Sequence, residues 1–140
     1  MRQNVPISSI MASKLVKLNL TDSLTNAEKL FKENKIRHLP VLSGGELVGI
    51  LSYTDLVRIS LAETVGDNDD IIDTTIYNMF SIEQVMVKDV VTIQADCSIK
   101  DAAEIIIERG FRSLPVMDGD ILVGMLTSTD LIKYLIKQYE

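Results

Sequence analysis

The stretch LVGILSYTDL, residues 47–56, decides the fold of this chain, because it occurs a second time as LVGMLTSTDL at residues 122–131. In both copies an apolar run with a central glycine leads into hydroxyl side chains and an aspartate. A run of about 4–8 apolar residues that ends in polar ones is typical of a buried strand. Each copy therefore predicts a strand that runs directly into a helix.

The duplication extends far beyond these ten positions. A shift of 75 residues aligns residues 7–56 with 82–131 without a gap, and 18 of the 50 pairs are identical. Two copies indicate a pseudo-two-fold pair, since a solenoid needs about three or more repeats. We predict repeat 1 at residues 1–63, a linker or insert at 64–81, and repeat 2 at 82–140.

Both copies predict the same order of elements, β-α-β-β-α, and hence an α+β fold. Short aliphatic runs at 15–18 and 90–93 predict the first strands. Ser23 and Ser98 predict the N-caps of helices over 24–34 and 99–109, because a hydroxyl there accepts a free backbone N–H.

A hairpin and a last helix complete each copy. Pro40 and Pro115 lie in the middle strands and, lacking an N–H, must occupy a strand edge or a position that forms no ladder bond. Glycine-containing turns at 43–46 and 118–120 join the two strands of each hairpin. The last helices are predicted over about 55–63 and 130–138.

Composition narrows the class of protein. Hydrophobic residues are 46 % of the chain, charged residues 24 %, and the net charge is −6. An acidic chain is unsuited to nucleic acid, which requires a basic face. The single cysteine, Cys97, forms no intrachain disulfide, which favours a reducing, cytoplasmic setting. No apolar run approaches the ~20 residues of a membrane span, so direct membrane insertion is not expected.

The region between the copies is where they differ most. Residues 66–70 are acidic and predict a solvated loop. The apolar residues within 71–80 suit a short amphipathic helix that packs on the protein or faces a partner.

Catalytic and metal-binding patterns are absent from the sequence. His38 is the only histidine, so a nucleophile–histidine arrangement would depend on it alone. Cys97 and the scattered acids have no metal-ligand spacing, and Cys97 is expected to be a semi-buried small residue. We therefore predict no catalytic residues, no metal and no required cofactor.

The duplicated stretch itself is the best candidate site. Ser52, Thr54 and Asp55 bring two hydroxyls and a carboxylate to the end of a strand. A carboxylate there can accept both hydroxyls of a ribose, and the free N–H groups of the next helix can hold a phosphate. The alternative is that Thr54 or Asp55 is simply the N-cap of that helix.

Arginine and glycine are also duplicated around this stretch. Arg37 and Arg112 precede the Leu-Pro-Val strands, where a guanidinium can hold a phosphate or form an ordinary surface ion pair. Gly49 and Gly124 interrupt apolar strands, which indicates close approach of a packed segment or of a flat ligand.

These motifs resemble a pair of CBS domains (named from cystathionine beta-synthase), also called a Bateman module. The family pattern of Leu-Pro-Val, a glycine turn and G-h-h-[ST]-x-x-D-h appears at 39–56 and again at 114–131. The resemblance implies two three-stranded repeats packed through their sheets with pseudo-two-fold symmetry, two clefts between the repeats, and a homodimer. It also implies that the clefts bind AMP, ADP, ATP or S-adenosylmethionine.

Carried over by position, the resemblance assigns Asp55 and Asp130 to a ribose. It assigns the phosphate end and the cleft to Arg37, His38, Ser52, Thr54, Arg112, Ser113, Thr127 and Thr129. It assigns the flanks of the adenine to Val16, Ile36, Ile50, Val91, Phe111 and Met125. Because Ser113 replaces His38 in the second copy, the two clefts are expected to differ in affinity.

Three functions follow, in decreasing order of support. The first is a regulatory, non-catalytic module that binds an adenosine-containing ligand and signals to a separate effector protein. The second is a structural or interaction module with empty clefts that acts by dimerisation or by recruiting a partner. The third is an enzyme, whose activity would have to depend on His38.

Overall fold

The structure, a computed structural model, describes residues 4–12, 14–63 and 77–140, with the backbone alone at 61–63. The chain divides into two compact units. We call Val16–Val90 the repeat-1 unit, and Met1–Leu15 together with Val91–Glu140 the repeat-2 unit. The predicted acidic loop and most of the predicted helix between the copies lie outside the described residues.

Each unit contains a three-stranded sheet within the described residues. The strands, in their order across the two sheets, are β1 (Leu18–Asn19), β2 (His38–Ser43) and β3 (Glu46–Ser52), and β4 (Ile93–Gln94), β5 (Ser113–Asp118) and β6 (Ile121–Thr127). The first pair in each sheet is parallel and the second is an antiparallel hairpin. The first strands are shorter and begin later than predicted, because only two residues of each come into register with the middle strand.

The helices predicted at 24–34 and 99–109 have those bounds, the last helix of each copy begins two residues earlier than predicted, and two short helices at 7–9 and 82–85 were not predicted. The described helices are a 3-10 helix η1 (Ile7–Ser9), α1 (Leu24–Asn34), α2 (Tyr53–Glu63), α3 (Ile82–Val85), α4 (Ile99–Arg109) and α5 (Ser128–Lys137). The side chains of Ser23 and Ser98 cap α1 and α4, as predicted. The α+β class and the β-α-β-β-α order of each copy are therefore confirmed.

Pro40 lies in the central strand of its sheet, at a position that needs no N–H. Its register partner is Ile50, whose own N–H and carbonyl point away from β2 and bond to Val87 at 3.0 and 2.9 Å. The Pro40–Ile50 pair is therefore a non-hydrogen-bonded pair of the antiparallel ladder. This confirms the second of the two positions predicted for the proline.

The core of each unit includes a segment that, in the sequence, comes just before the first strand of the other copy. Ile82 is fully buried in the core of the repeat-1 unit, although in sequence it begins repeat 2. Its counterpart Ile7 is fully buried in the core of the repeat-2 unit. The hydrophobic face of each sheet is therefore completed by a segment that the sequence repeat assigns to the other copy.

The strand glycines allow these segments to approach the sheets. A Cβ at Gly49 would collide with Met86 Sδ and lie 2.9 Å from the carbonyl oxygen of Val87. A Cβ at Gly124 would lie 2.7 Å from Met11 Sδ. Packing of a neighbouring segment, one of the two predicted explanations, therefore accounts for both glycines.

Tyr77, the first described residue of the predicted insert, is anchored in the repeat-1 unit. It is 2 % exposed, and its hydroxyl donates to Glu28 of α1 at 2.6 Å. The Ser60 hydroxyl of α2 donates to the Tyr77 oxygen at 3.0 Å. Burial, reinforced by the bond to Glu28, raises the pKa of Tyr77 to about 12. This part of the insert is therefore tied to α1 and α2 of the unit.

Candidate functional site

The end of β3 and the start of α2 form a tight junction in the repeat-1 unit. The Ser52 hydroxyl accepts the N–H of Asp55 at 3.0 Å, and the N–H of Tyr53 donates to the carbonyl of Arg37 at 2.8 Å. His38 and Ser52 are register partners across the hairpin. The structure therefore brings Arg37, His38, Ser52 and Asp55 to one end of one sheet, as the sequence predicted.

The equivalent junction in the repeat-2 unit has the same backbone plan. The N–H of Ser128 donates to the carbonyl of Arg112 at 2.9 Å, and Ser113 pairs with Thr127 across the hairpin. Thr127 and Asp130 form a capping box, with bonds of 3.2 and 2.9 Å between each side chain and the other's N–H. Four of the predicted residues are thus brought together again.

Neither Thr54 nor Asp55 is the N-cap residue of its helix, although Asp130, the counterpart of Asp55, takes part in the capping box of α5. The hydroxyl that accepts a helix N–H belongs to Ser52, two or three positions earlier, because the helix begins directly at Tyr53. Thr54 and its counterpart Thr129 are exposed instead. Asp55 is half-buried and pairs with Arg58 at 3.6 Å.

The two arginines are exposed, and neither forms a salt bridge within the described parts of the chain. The ordinary surface ion pair, which was the alternative to a phosphate contact, is therefore not observed there. Their neighbours differ between the copies, since His38 is half-buried, whereas Ser113 is 7 % exposed. Ser113 Oγ has no hydrogen-bond partner among the described residues.

The residues predicted to flank an adenine are mostly half-buried. Val16 and Ile36 pack against the core of the repeat-1 unit, and Val91 packs against that of the repeat-2 unit. Phe111, at 37 %, is the most exposed of these predicted residues, which also include Ile50 and Met125. The clefts between the repeats that these residues would line stay a prediction.

A surface pocket of about 240 Å³ adjoins the first junction and lies wholly within the repeat-1 unit. Its lining consists of Phe31, Lys32, Lys35, Ile36, Arg37 and Tyr53. The rings of Phe31 and Tyr53 meet edge to face at 5.5 Å, which holds the Tyr53 ring as one wall. Only Ile36 and Arg37 of this lining were predicted as site residues.

The other lining residues were missed because the prediction was based on residues that both copies share. Lys32, Lys35 and Tyr53 align with Ile107, Gly110 and Ser128, so they are positions at which the copies disagree. A search for residues shared by both copies cannot find them. The pocket is therefore a feature of repeat 1 that its counterpart does not reproduce in residue type.

Other chemistry finds no support in the described residues. No group of three or more His, Cys, Asp and Glu side chains there could hold a metal ion. Cys97 is half-buried, as predicted, and burial, with a smaller effect from Asp101 and Asp96, raises the pKa of its thiol. No described helix has the length and apolar character required to cross a membrane.

Comparison with known proteins identifies the family. The CBS domain family matches the chain twice, at residues 7–62 and 82–137. The chain therefore belongs to this family, and its two CBS domains form a CBS pair, or Bateman module. It is 31 % identical over 153 residues to the uncharacterized protein MJ1426 of Methanocaldococcus jannaschii, covering 93 % of this chain and 90 % of that protein.

Solved structures share the fold. One is CBSX2 in complex with AMP, with a TM-score of 0.77, 23 % identity, and coverage of 96 % of this chain and 98 % of that chain. Another is the CBS domain pair of protein MJ0100 in complex with 5-methylthioadenosine and S-adenosyl-L-methionine, with a TM-score of 0.76 and 23 % identity. That similarity covers 97 % of this chain and 98 % of that chain.

Several relatives are longer than this chain. The chain spans 48 % of the uncharacterized M. jannaschii protein MJ1225 and 23 % of a homoserine O-acetyltransferase of Methanocorpusculum labreanum. CBS pairs similar to this one therefore also occur as parts of enzymes.

Proposed function

We propose that this CBS pair is a regulatory, non-catalytic module that binds an adenosine-containing ligand and passes the resulting change to a separate effector protein. The observation that carries this proposal is the pocket beside the first junction. Arg37 and two lysines line this pocket of about 240 Å³, which also has an aromatic wall. Cations bind phosphate, and an aromatic face suits a base or a sugar.

The junction residues supply the remaining groups that a nucleotide needs. Asp55 and Asp130 offer half-buried carboxylates at equivalent positions of the two copies. Each carboxylate has two oxygens and can keep its present contact while it accepts a ribose hydroxyl. The adenosine class is favoured because the AMP complex of CBSX2 and the complex of MJ0100 with 5-methylthioadenosine and S-adenosyl-L-methionine have the same fold.

Isothermal titration with AMP, ADP, ATP, S-adenosylmethionine and cyclic dinucleotides tests the proposal. We expect saturable heat with at least one adenosine compound and none with the guanosine equivalent at the same concentration. Asp55→Ala should weaken one site and Asp130→Ala the other. Absence of heat and of a thermal shift with every adenosine compound would overturn the proposal.

A second candidate is an interaction module that acts as a homodimer, and the surface of α5 favours it. Ile132, Leu135 and Ile136 recur at helical spacing, and Tyr139 follows one turn later. All four are between 46 % and 86 % exposed, and α5 has no fully buried residue. An exposed apolar stripe of this kind marks a contact surface.

Sedimentation equilibrium of the wild type and of Leu135→Glu with Ile136→Glu tests this surface. We expect a dimer for the wild type and a folded monomer for the variant, because both side chains are on the exposed side of the helix. Lys133→Glu, on the same helix but outside the stripe, is the matched control. A monomeric wild type at all concentrations would remove the homodimer proposal.

A further inference from the structure

We propose that the pocket of the repeat-1 unit receives the phosphate chain of a nucleoside di- or triphosphate, and that Lys32 and Lys35 make it discriminate against AMP. This inference rests on the proposed function, because it names the class of adenosine ligand that the same site prefers. It concerns a pair of residues that the duplication does not reveal.

The local charge of the pocket favours a chain of phosphates. Lys32, Lys35 and Arg37 line the pocket and no acidic residue does, although the chain as a whole has a net charge of −6. One phosphate ester carries up to about two negative charges at neutral pH. The three cations therefore carry more positive charge than one phosphate neutralises, and they match a longer anionic chain.

The three cations are also available to bind an anion. Lys35 and Arg37 form no salt bridge within the described parts of the chain. Lys32 pairs with Glu28 at 3.0 Å, but the other oxygen of that carboxylate accepts the Tyr77 hydroxyl at 2.6 Å. Glu28 is thus also bonded to the buried Tyr77. Lys32 can therefore turn toward a more highly charged anion.

The pocket is small. Its volume of about 240 Å³ is below the ~300–1,000 Å³ of pockets that enclose a whole small molecule. It therefore suits one part of a nucleotide. A chain of phosphates is the part that three cations would select.

Lys35 ends α1 with its backbone in the left-handed conformation, at φ 54° and ψ 42°. Glycine is the favoured residue at such a position, and repeat 2 has Gly110 there with φ 71°. A lysine costs stability at this position that a glycine would not. A charge that is useful to binding gives a physical reason for it.

The internal repeat provides a matched comparison. At the equivalent positions of repeat 2, Lys32 becomes Ile107, Lys35 becomes Gly110, and only Arg112 keeps its charge. The Lys32→Ile, Lys35→Gly variant therefore gives repeat 1 the residues that the same fold already carries in repeat 2, including a glycine where the backbone is left-handed. It removes two charges without adding backbone strain.

The experiment is titration calorimetry with adenosine, AMP, ADP, ATP and inorganic triphosphate, on the wild type and on the double variant. Each lost charge-assisted contact should cost about tenfold in affinity. We expect the variant to bind ADP and ATP about 10- to 100-fold more weakly, AMP at most a few-fold more weakly, and adenosine unchanged. Lys29→Gln, on α1 but outside the pocket and 67 % exposed, should behave as the wild type.

Three outcomes separate this inference from the function on which it rests. Equal losses for adenosine, AMP and ATP, or no loss at all, would overturn the phosphate-chain inference while the nucleotide site stands. Binding of inorganic triphosphate that the variant loses, with no binding of any adenosine compound, would support the anion pocket and overturn the adenosine proposal. No binding of any of the five probes would overturn both.

Discussion

Thr127 and Asp130 each accept a hydrogen bond from the other's backbone. The Thr127 hydroxyl accepts the Asp130 N–H at 3.2 Å, and the Asp130 carboxylate accepts the Thr127 N–H at 2.9 Å. The same carboxylate is the proposed ribose ligand. The carboxylate therefore stabilises the start of the helix and is also proposed to bind the ligand. Measuring both stability and affinity on the same variants separates these two roles.

Asp130→Ala should lower the free energy of unfolding by about 1 kcal/mol, because it removes one half of the capping box. Asp130→Asn should cost less, since its amide oxygen can still accept the Thr127 N–H. Urea denaturation followed by circular dichroism measures both. Equal stability of Asp130→Ala and the wild type would show that the carboxylate contributes nothing to the helix start.

Ser113→Ala should leave the ligand-free protein as stable as before or raise its free energy of unfolding by about 1 kcal/mol. The reason is that a buried hydroxyl with no partner has lost its hydration without compensation. Ser60→Ala is the matched control, because Ser60 is 5 % exposed and bonds to Tyr77 at 3.0 Å. That variant should be destabilised by about 1 kcal/mol. A comparable loss in Ser113→Ala would contradict the prediction.

The protein should lose stability as the pH rises from about 10 to about 12, because Tyr77 ionises at its ordinary pKa when unfolded and only near 12 when folded. The stabilisation is complete below the unfolded pKa of 10 and disappears as the pH passes the folded value. Over a gap of about two pKa units it amounts to about 2–3 kcal/mol.

Tyr77→Phe should remove this part of the pH dependence, and the wild-type-minus-variant difference in unfolding free energy at several pH values measures it. Tyr139→Phe, which removes an 86 % exposed phenol, is the control. The prediction fails if wild type and Tyr77→Phe lose stability in parallel above pH 10.

Gly49→Ala should destabilise the protein by about 1–3 kcal/mol, because the added Cβ meets Met86 and the backbone of Val87, and a hydrogen-bonded backbone cannot move aside cheaply. Gly124→Ala should cost less, since its nearest contacts belong to the flexible side chain of Met11. Thermal unfolding of the two variants makes the comparison. A larger loss at Gly124 would contradict the prediction.

Much of the fold was predictable because its signals are local and occur twice. Ser23 and Ser98 each precede an apolar stripe of helical spacing, and both helices have the predicted bounds. The helix after each hairpin was placed two residues too late, because the capping hydroxyls belong to the last strand residues, Ser52 and Thr127. A strand that leads into a helix without a connecting turn has no loop signal to mark the boundary.

The candidate site was predictable only in part. The duplicated residues Arg37, Ser52 and Asp55 were found because both copies carry them, and the structure brings them to one end of a sheet. Lys32 and Tyr53 were missed, since they become neighbours of Arg37 only through the turn of α1 and the pairing of the hairpin, and Lys35 was missed because repeat 2 has Gly110 at that position.

The sequence by itself determined the family, the α+β class, the two repeats and the bounds of α1 and α4, because periodicity, capping and turn chemistry act over a few residues. Only the tertiary structure decided that Ile82 completes the core of the repeat-1 unit and Ile7 that of the repeat-2 unit. It also decided that one half carries a pocket with three cations. The burial of Ile82 and Ile7 and the Tyr53 wall of the pocket depend on contacts between residues distant in the chain, which packing selects and a local pattern does not encode.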